Sequence, residues 1–267
     1  MNVAFHGIGL LAPGLAGWDT SRAVLAGLRS FQPKGIPDPE ASLLPSNERR
    51  RSSDTVRWAV HVAQEAIVQS GLDPREVPTV FASSGGEMGV FDTLCRALST
   101  PERVISPTLF HQSVHNTAAG YWGIATACQQ SSTALSCYDD SLAVGLLEAT
   151  TFIFVEKRPV LLVAYDLAVP APLDEARPIT TGFAVALVLV PPPSDGSLAD
   201  MRLRLEEARR DEPTNLQDPA LERLRLDNPA ARALPLLTAL ARGGNGTIRF
   251  ELLHDQQLVV ETSPCRH

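Results

Sequence analysis

Cys137 lies between a short predicted strand, residues 132–136, and a predicted helix running from Cys137 to about Thr150. A thiolate at a helix N-terminus is stabilised by the helix dipole and can accept an acyl group from a thioester. Two imidazoles stand upstream, His111 and His115, and titration near neutrality makes them candidate bases. No acid near them in sequence is an orienting partner, and they flank the loop leading into Asn116, where anchoring of backbone is the simpler role. Asp139 and Asp140 follow the cysteine almost directly. Neighbouring helical positions face different ways, so the pair reads as first-turn helix stabilisers rather than an acid/base couple. As negative charges they also oppose a thiolate at Cys137.

The elements that must hold these residues can be read from hydrophobic spacing. Val3 to Leu10 predicts a buried strand, and Asp19 an N-cap for a short helix through Leu25 and Leu28. Residues 34–51, with three prolines and the triplet Arg49-Arg50-Arg51, predict an exposed loop with solvated charges. From Asp54 a helix runs through Ile67 and ends at Gly71. Thr79 to Ala82 predicts a strand entering Ser83-Ser84-Gly85-Gly86-Glu87-Met88-Gly89, with a helix from about Val90 to Leu98. That turn lacks the Lys-Ser/Thr of a P-loop and the GxGxxG spacing, so it predicts tight packing rather than a phosphate cradle. A loop with Pro101 and Pro107 leads to a helical segment at 116–127. Val160 to Tyr165 and Phe183 to Val190 are continuous apolar runs, as in strands buried on both faces. Past Pro191-Pro192-Pro193, the alternating Met201 to Glu206 predicts a half-exposed edge strand. A helix over 230–241 ended by Gly243-Gly244, then strands at 247–252 and 257–262 joined by a turn at His254-Asp255, complete a small α+β appendix.

Composition narrows the function classes. The 267 residues are 44% hydrophobic and 20% charged, which suffices for a large core, and the net charge of -7 excludes a nucleic-acid surface. Cys95, Cys128, Cys137 and Cys265 show neither zinc-site spacing nor disulfide density, so reduced thiols, a cytoplasmic setting and no metal are expected. No apolar run approaches the roughly 18 residues of a spanning helix. The opening MNVAFHGIGLLAPG has no basic n-region, so no signal peptide is expected.

From Val3 to about Val190 the order of elements resembles the N-terminal half of the β-ketoacyl synthases, the condensing enzymes of fatty-acid and polyketide assembly. The resemblance rests on the Gly-rich turn Ser83 to Gly89, the segment Asn116-Thr117-Ala118-Ala119-Gly120-Tyr121 in place of Asn-x-Ala-Ala-Gly, and Ala134-Leu135-Ser136-Cys137 in place of Thr-Ala-Cys. It implies an α/β, thiolase-like fold of layered αβαβα type with a complete N-terminal half, residues 1–190. It also implies a strongly reduced C-terminal half, residues 191–267, on the same core as a single domain. Cys137 would occupy the nucleophile position. The histidines that the family uses on the malonyl unit have no counterpart: downstream of Tyr138 only His254 and His267 occur, in neither a His-Gly-Thr nor an Asn-x-x-x-Gly-His context.

The resemblance therefore implies a non-catalytic, chain-length-factor-type subunit, inactive alone, that forms a heterodimer with a complete β-ketoacyl synthase and shapes its acyl tunnel. The phrases HNTAAGYWGIATA, PVLLVAYD and ALPLLTALARG are similar to short ketosynthase-like proteins of bacterial aryl polyene assembly. That implies an acyl carrier protein, met at least through the partner, and no cofactor. Phe110, His111, His115, Asn116, Cys137 and Tyr138 are the expected tunnel or interface residues. Two alternatives stand beside this reading. One is a stand-alone cysteine acyltransferase or condensing enzyme with Cys137 as nucleophile and His111 or His115 as base; the other is a scaffold without tunnel contact.

Overall fold

Strand β1 (Asn2–Ala12) lies near the middle of one mixed sheet, and nine of its eleven residues are buried. The computed structural model describes residues 1–35, 39, 41–192, 195–207, 213–243, 245–252 and 255–265. His254 and His267, with Gly244, lie outside them. After β1 come β2 (Leu15–Ala16), α1 (Trp18–Leu25), α2 (Ser46–Arg51), α3 (Asp54–Ser70) and β3 (Thr79–Ala82). Next are α4 (Met88–Ser99), α5 (Pro107–Gln112), α6 (Thr117–Thr126), β4 (Ser132–Leu135), α7 (Ser141–Glu156), β5 (Val160–Asp166) and β6 (Phe183–Val190). The last third adds β7 (Ala199–Glu207), α8 (Pro219–Asp227), α9 (Leu234–Ala241), β8 (Gly246–Leu252) and β9 (Gln256–Ser263).

The strands lie in the order β4-β3-β5-β6-β1-β7-β9-β8, with β2 beside β1. Among the described residues the parallel pairs are those of β4, β3 and β5, Thr79 pairing with Ser132 on one side and Leu161 on the other. The two apolar runs behave as two-faced strands must. Val160, Leu162 and Ala164 of β5, with Phe183, Val185, Leu187 and Leu189 of β6, enter the core shared with α1, α7, α8 and α9. Leu161, Val163 and Tyr165, with Ala184, Ala186 and Val188, enter the core under α3 and α6. The sheet is thus covered by helices on both faces, the arrangement of a thiolase-like N-terminal half.

Two close approaches fix the helices. A Cβ at Gly9 would come 2.0 Å from the Val62 carbonyl oxygen, so α3 crosses β1 where only glycine fits. On the opposite face, a Cβ at Gly145 of α7 would stand 2.9 Å from Leu162 Cδ1 and 3.1 Å from Ala82 Cβ. Leu142, Leu146 and Ile153 complete the buried face of α7, each side chain contributing about 1.5–3 kcal/mol of transfer free energy.

Several boundaries differ from those the sequence predicts. Gly17, not Asp19, is the N-cap residue of α1, because its φ of 87° makes the turn; Asp19 sits in the first helical turn. Within 34–51 the arginine triplet forms the end of α2, and Ala41 and Leu44, ahead of that helix, are buried. Pro107 opens α5 at a position where its missing N–H costs nothing. The largest difference is at the candidate nucleophile. Helix α7 begins at Ser141 with Asp140 as its N-cap residue, and Tyr138–Asp140 forms a separate 3₁₀ turn. Strand β7 is no edge, for it pairs with β1 on one side and β9 on the other. Residues 219–227, charged and led by a proline, form α8, with Asp218 Oδ1 accepting from the Ala220 and Leu221 amides. The predicted helix over 230–241 is a 3₁₀ turn, Ala230–Ala233, followed by α9. These elements extend the main sheet and its core instead of forming an appendix.

Candidate functional site

The C-terminal ends of parallel strands β4, β3 and β5 lie side by side, the place where open α/β sheets gather functional groups. Strand β3 delivers Ser83 to Gly86, β4 delivers Ser136 and Cys137, and β5 delivers Asp166. The three ends are stitched together. The Ser83 amide donates to the Leu135 carbonyl at 3.2 Å, and Ser136 Oγ donates to the Ser84 carbonyl at 3.0 Å.

Asp166 is the centre of this arrangement. Its Oδ1 accepts from Ser83 Oγ (3.0 Å), Ser84 N (2.9 Å), Ser84 Oγ (2.8 Å) and Gly85 N (3.2 Å). The converging N–H groups of the glycine turn are therefore spent on a carboxylate of the same chain, in accord with a packing turn and not a phosphate cradle. Oδ2 is buried with no hydrogen-bond partner among the described residues. Burial pushes the carboxyl up to about 6 against the opposing pull of the Ser84, Ser83 and Gly85 bonds. Asn228 holds the same strand end from the C-terminal segment, its Nδ2 donating to the carbonyls of Asp166 (2.9 Å) and Thr181 (2.7 Å). Glu87, the N-cap residue of α4 next to Gly86, accepts from Ser53 Oγ at 2.9 Å, and burial raises it to about 7.

Cys137 has lost the setting of an activated thiol. Its amide donates to Ser141 Oγ (3.0 Å), which donates in turn to the Tyr138 carbonyl (2.7 Å), so the cysteine precedes a turn and not an α-helix. Burial, then the charge of Asp140, raise its thiol above the ordinary value. No hydrogen bond joins its sulfur to an imidazole among the described residues. His115 Nε2 lies 3.1 Å from the Ser83 carbonyl, which can only accept, so the ring donates there and anchors the turn. His111 is exposed on α5, as are Phe110 on the same helix and Asn116 at the N-cap position of α6. Of the six residues singled out by sequence, His115 bonds to the glycine turn, and Cys137 follows Ser136, which bonds to the Ser84 carbonyl. Phe110, His111 and Asn116 stay on the surface, while Tyr138 is exposed next to Cys137.

Tyr138 is held unusually. Its φ of 53° is left-handed for a side chain that costs about 1–2 kcal/mol there. The guanidinium of Arg177 lies over its ring, 3.8 Å from the centroid, and pairs with Asp139 at 2.5 Å. Arg232 closes the other side, 3.0 Å from Asp139 and 3.5 Å from Asp140. The acid pair thus serves two arginines rather than the dipole of a helix. Sequence reading missed Asp166, Glu87, Asn228, Arg177 and Arg232. Only Asp166 carries a local signal, an acid ending an otherwise apolar strand that faces a Ser/Gly turn.

Among the described residues no group of three or more His, Cys, Asp or Glu is placed to hold a metal ion, all four cysteines are free, and no helix is long and apolar enough to cross a membrane. The family model for the β-ketoacyl synthase N-terminal domain matches residues 22–243. No curated protein matches the chain. Among solved structures, a ketosynthase (ApeO) in complex with its chain length factor (ApeC) from Xenorhabdus doucetiae is similar with a TM-score of 0.74 at 22% identity, over 98% of this chain and 99% of that one. The ishigamide ketosynthase/chain length factor gives 0.74 at 11% identity over 100% of both chains. A type II PKS acyl-carrier protein in complex with its ketosynthase bound to the hexaketide (AntDE:AntF) gives 0.75 at 13% identity, over 98% of this chain and 99% of that one. At these identities the likeness is one of fold.

Proposed function

We propose, from the premise that this chain belongs to the β-ketoacyl synthase family through its N-terminal domain, that it is a non-catalytic, chain-length-factor-type subunit. It pairs with a complete β-ketoacyl synthase and shapes the acyl tunnel of that partner. The observation that carries this reading is the state of the Cys137 turn. The thiol is raised by burial and by Asp140, no imidazole bonds to its sulfur among the described residues, and the adjoining Tyr138 and acid pair are locked by arginines. Such a turn presents a bulky ring where a condensing enzyme presents a nucleophile.

Pairing has a physical basis in the sheet. Among the described residues β4 pairs with β3 alone, leaving its other edge without a strand, and Ser132 and Thr133 on it are exposed. Phe110, Val114, Ile124 and Tyr138 are large apolar residues at least half exposed in the neighbouring segments. The solved complexes of similar fold support a ketosynthase as the occupant of this face. The finer reading is an aryl polyene assembly with an acyl carrier protein reached through the ketosynthase, in a cytoplasmic setting. Within the chain we take residues 1–190 as the ketosynthase-like half and 191–267 as a reduced C-terminal half in one domain.

Co-expression with the ketosynthase is expected to give a stoichiometric complex on size-exclusion chromatography, whereas the chain alone aggregates or unfolds easily. A stable monomer that ignores the ketosynthase would overturn the reading. In the complex, Tyr138→Ala should lengthen the product while the condensation rate is retained, as read by mass spectrometry of carrier-bound chains. Unchanged length would instead favour a scaffold without tunnel contact.

A further inference from the structure

The ring of Tyr138 projects from a turn that nothing in its own sequence would hold still. It is 61% exposed, its backbone is left-handed, and the turn is only three residues long. A side chain of that kind ordinarily samples several rotamers. Here one guanidinium restrains it from two directions. Arg177 Cζ lies 3.8 Å from the ring centroid, and Nη2 of the same residue lies 2.5 Å from Asp139 Oδ1. The side chain of Arg177 is only 14% exposed, and its backbone is held by N–H donation to the Leu173 carbonyl at 3.0 Å and by the Ile179 amide on its own carbonyl at 2.8 Å. Its Nε and Nη2 make no hydrogen bond among the described residues, so its hold on Asp139 is the close ionic contact alone. Arg232 pins the acid pair from the C-terminal segment, so the anchor for Arg177 does not swing away.

We infer that Arg177 is a positioning residue for chain-length selection: stacked on Tyr138 and paired with Asp139, it locks the tyrosine ring in one orientation against which the growing chain stops. The inference rests on the tunnel-shaping reading of the preceding section and names the residue that sets its selectivity. A planar, permanently charged guanidinium can stack and pair at once, which an ammonium group cannot do in the same geometry. Removing it leaves Asp139 paired to Arg232 alone and frees the ring to rotate.

The test uses the intact complex of this chain with its ketosynthase and carrier protein, carrying 3-fluorotyrosine at position 138 in one preparation. With Arg177 present, a single narrow fluorine resonance and one dominant product length are expected. Arg177→Ala should shift or broaden the resonance and spread the products over at least one further extension unit, with the condensation rate kept. Arg177→Lys, which keeps the charge and guards against a folding failure, should restore the complex but only part of the length selectivity. The double variant Arg177→Ala/Tyr138→Ala should match Tyr138→Ala alone, because the arginine acts only through the ring. An unchanged resonance in Arg177→Ala overturns the clamp. So does a Tyr138→Ala length change that Arg177→Ala and Arg177→Lys fail to reproduce even in part, and that result leaves the chain-length-factor reading standing. Unchanged product length in Tyr138→Ala itself removes that reading as well.

Discussion

Replacing Cys137 by alanine is expected to leave condensation by the intact complex near its original rate, while replacing the nucleophilic cysteine of the partner ketosynthase lowers it by at least about 10⁴-fold, the scale on which loss of a covalent nucleophile acts. The contrast follows from the surroundings of Cys137. A nucleophilic thiol needs a lowered pKa or an adjacent base, and this one is raised by burial and by Asp140. His115 donates an Nε2–H hydrogen bond to the Ser83 carbonyl, and among the described residues no hydrogen bond joins it to the Cys137 sulfur. Even an acylated Cys137 would stall, since decarboxylating a malonyl unit requires polar groups aimed at a developing enolate. Steady-state turnover of malonyl-carrier thioester by the two single variants decides the matter. Loss of product from Cys137→Ala in a folded complex would make this chain catalytic.

A second large effect is expected from pH. Glu87 rises from 4.5 to about 7 and Asp166 from 3.8 to about 6, in both cases chiefly because burial penalises the charged form. The folded state therefore holds these protons more tightly than the unfolded chain does. Stability is greatest where both states are protonated, and it is lost as pH rises, through 3.8 to about 6 for Asp166 and through 4.5 to about 7 for Glu87. At about 1.4 kcal/mol per pH unit of displacement, each carboxyl accounts for about 3 kcal/mol. Asp73, held low by Arg75, acts in the opposite sense, but only below pH 4 and from a fully exposed position. Urea unfolding should thus report lower stability at pH 8 than at pH 5.5. Glu87→Gln should flatten the curve and stabilise the protein at pH 8. Asp166→Ala should destabilise at every pH, because the Ser83, Ser84 and Gly85 donors lose their acceptor. A Glu87→Gln variant with the original slope would contradict the assignment.

What the sequence reveals and what it hides divide along a physical line. The runs at Val160 and Phe183 announce β5 and β6 because a strand buried on both faces has no room for polar residues. Helix α3 declares both its stripe and its end, with Gly71 at a φ of 68°. The start of α7 is hidden, since the left-handed Tyr138 that separates Cys137 from the helix carries no glycine or asparagine to mark it. Strand β7 alternates in burial as an edge strand would, and only its pairing with Val3 and Val260 shows it to be interior. The clamp is hidden for another reason. Arg232 and Asp139 are 93 residues apart, and neither has a neighbour in sequence that would select the other.

The pairing of β1 with β7 bears on how the chain reaches this state. Met1 donates its amine to the Leu203 carbonyl across 202 residues, and Asn2 to Phe5 pair with Ala199 to Arg202. The Asn2 to Phe5 segment of β1 thus gains this neighbour only once the residues of β7, far later in the sequence, have been synthesised. Contacts of such separation carry a large loop-closure entropy and slow the final folding step. Until β7 arrives, the Asn2 to Phe5 edge of β1 is an unpaired template open to another strand. Closure of the sheet between β1 and β7 is therefore a late folding event, and this edge stays exposed to mispairing until it occurs.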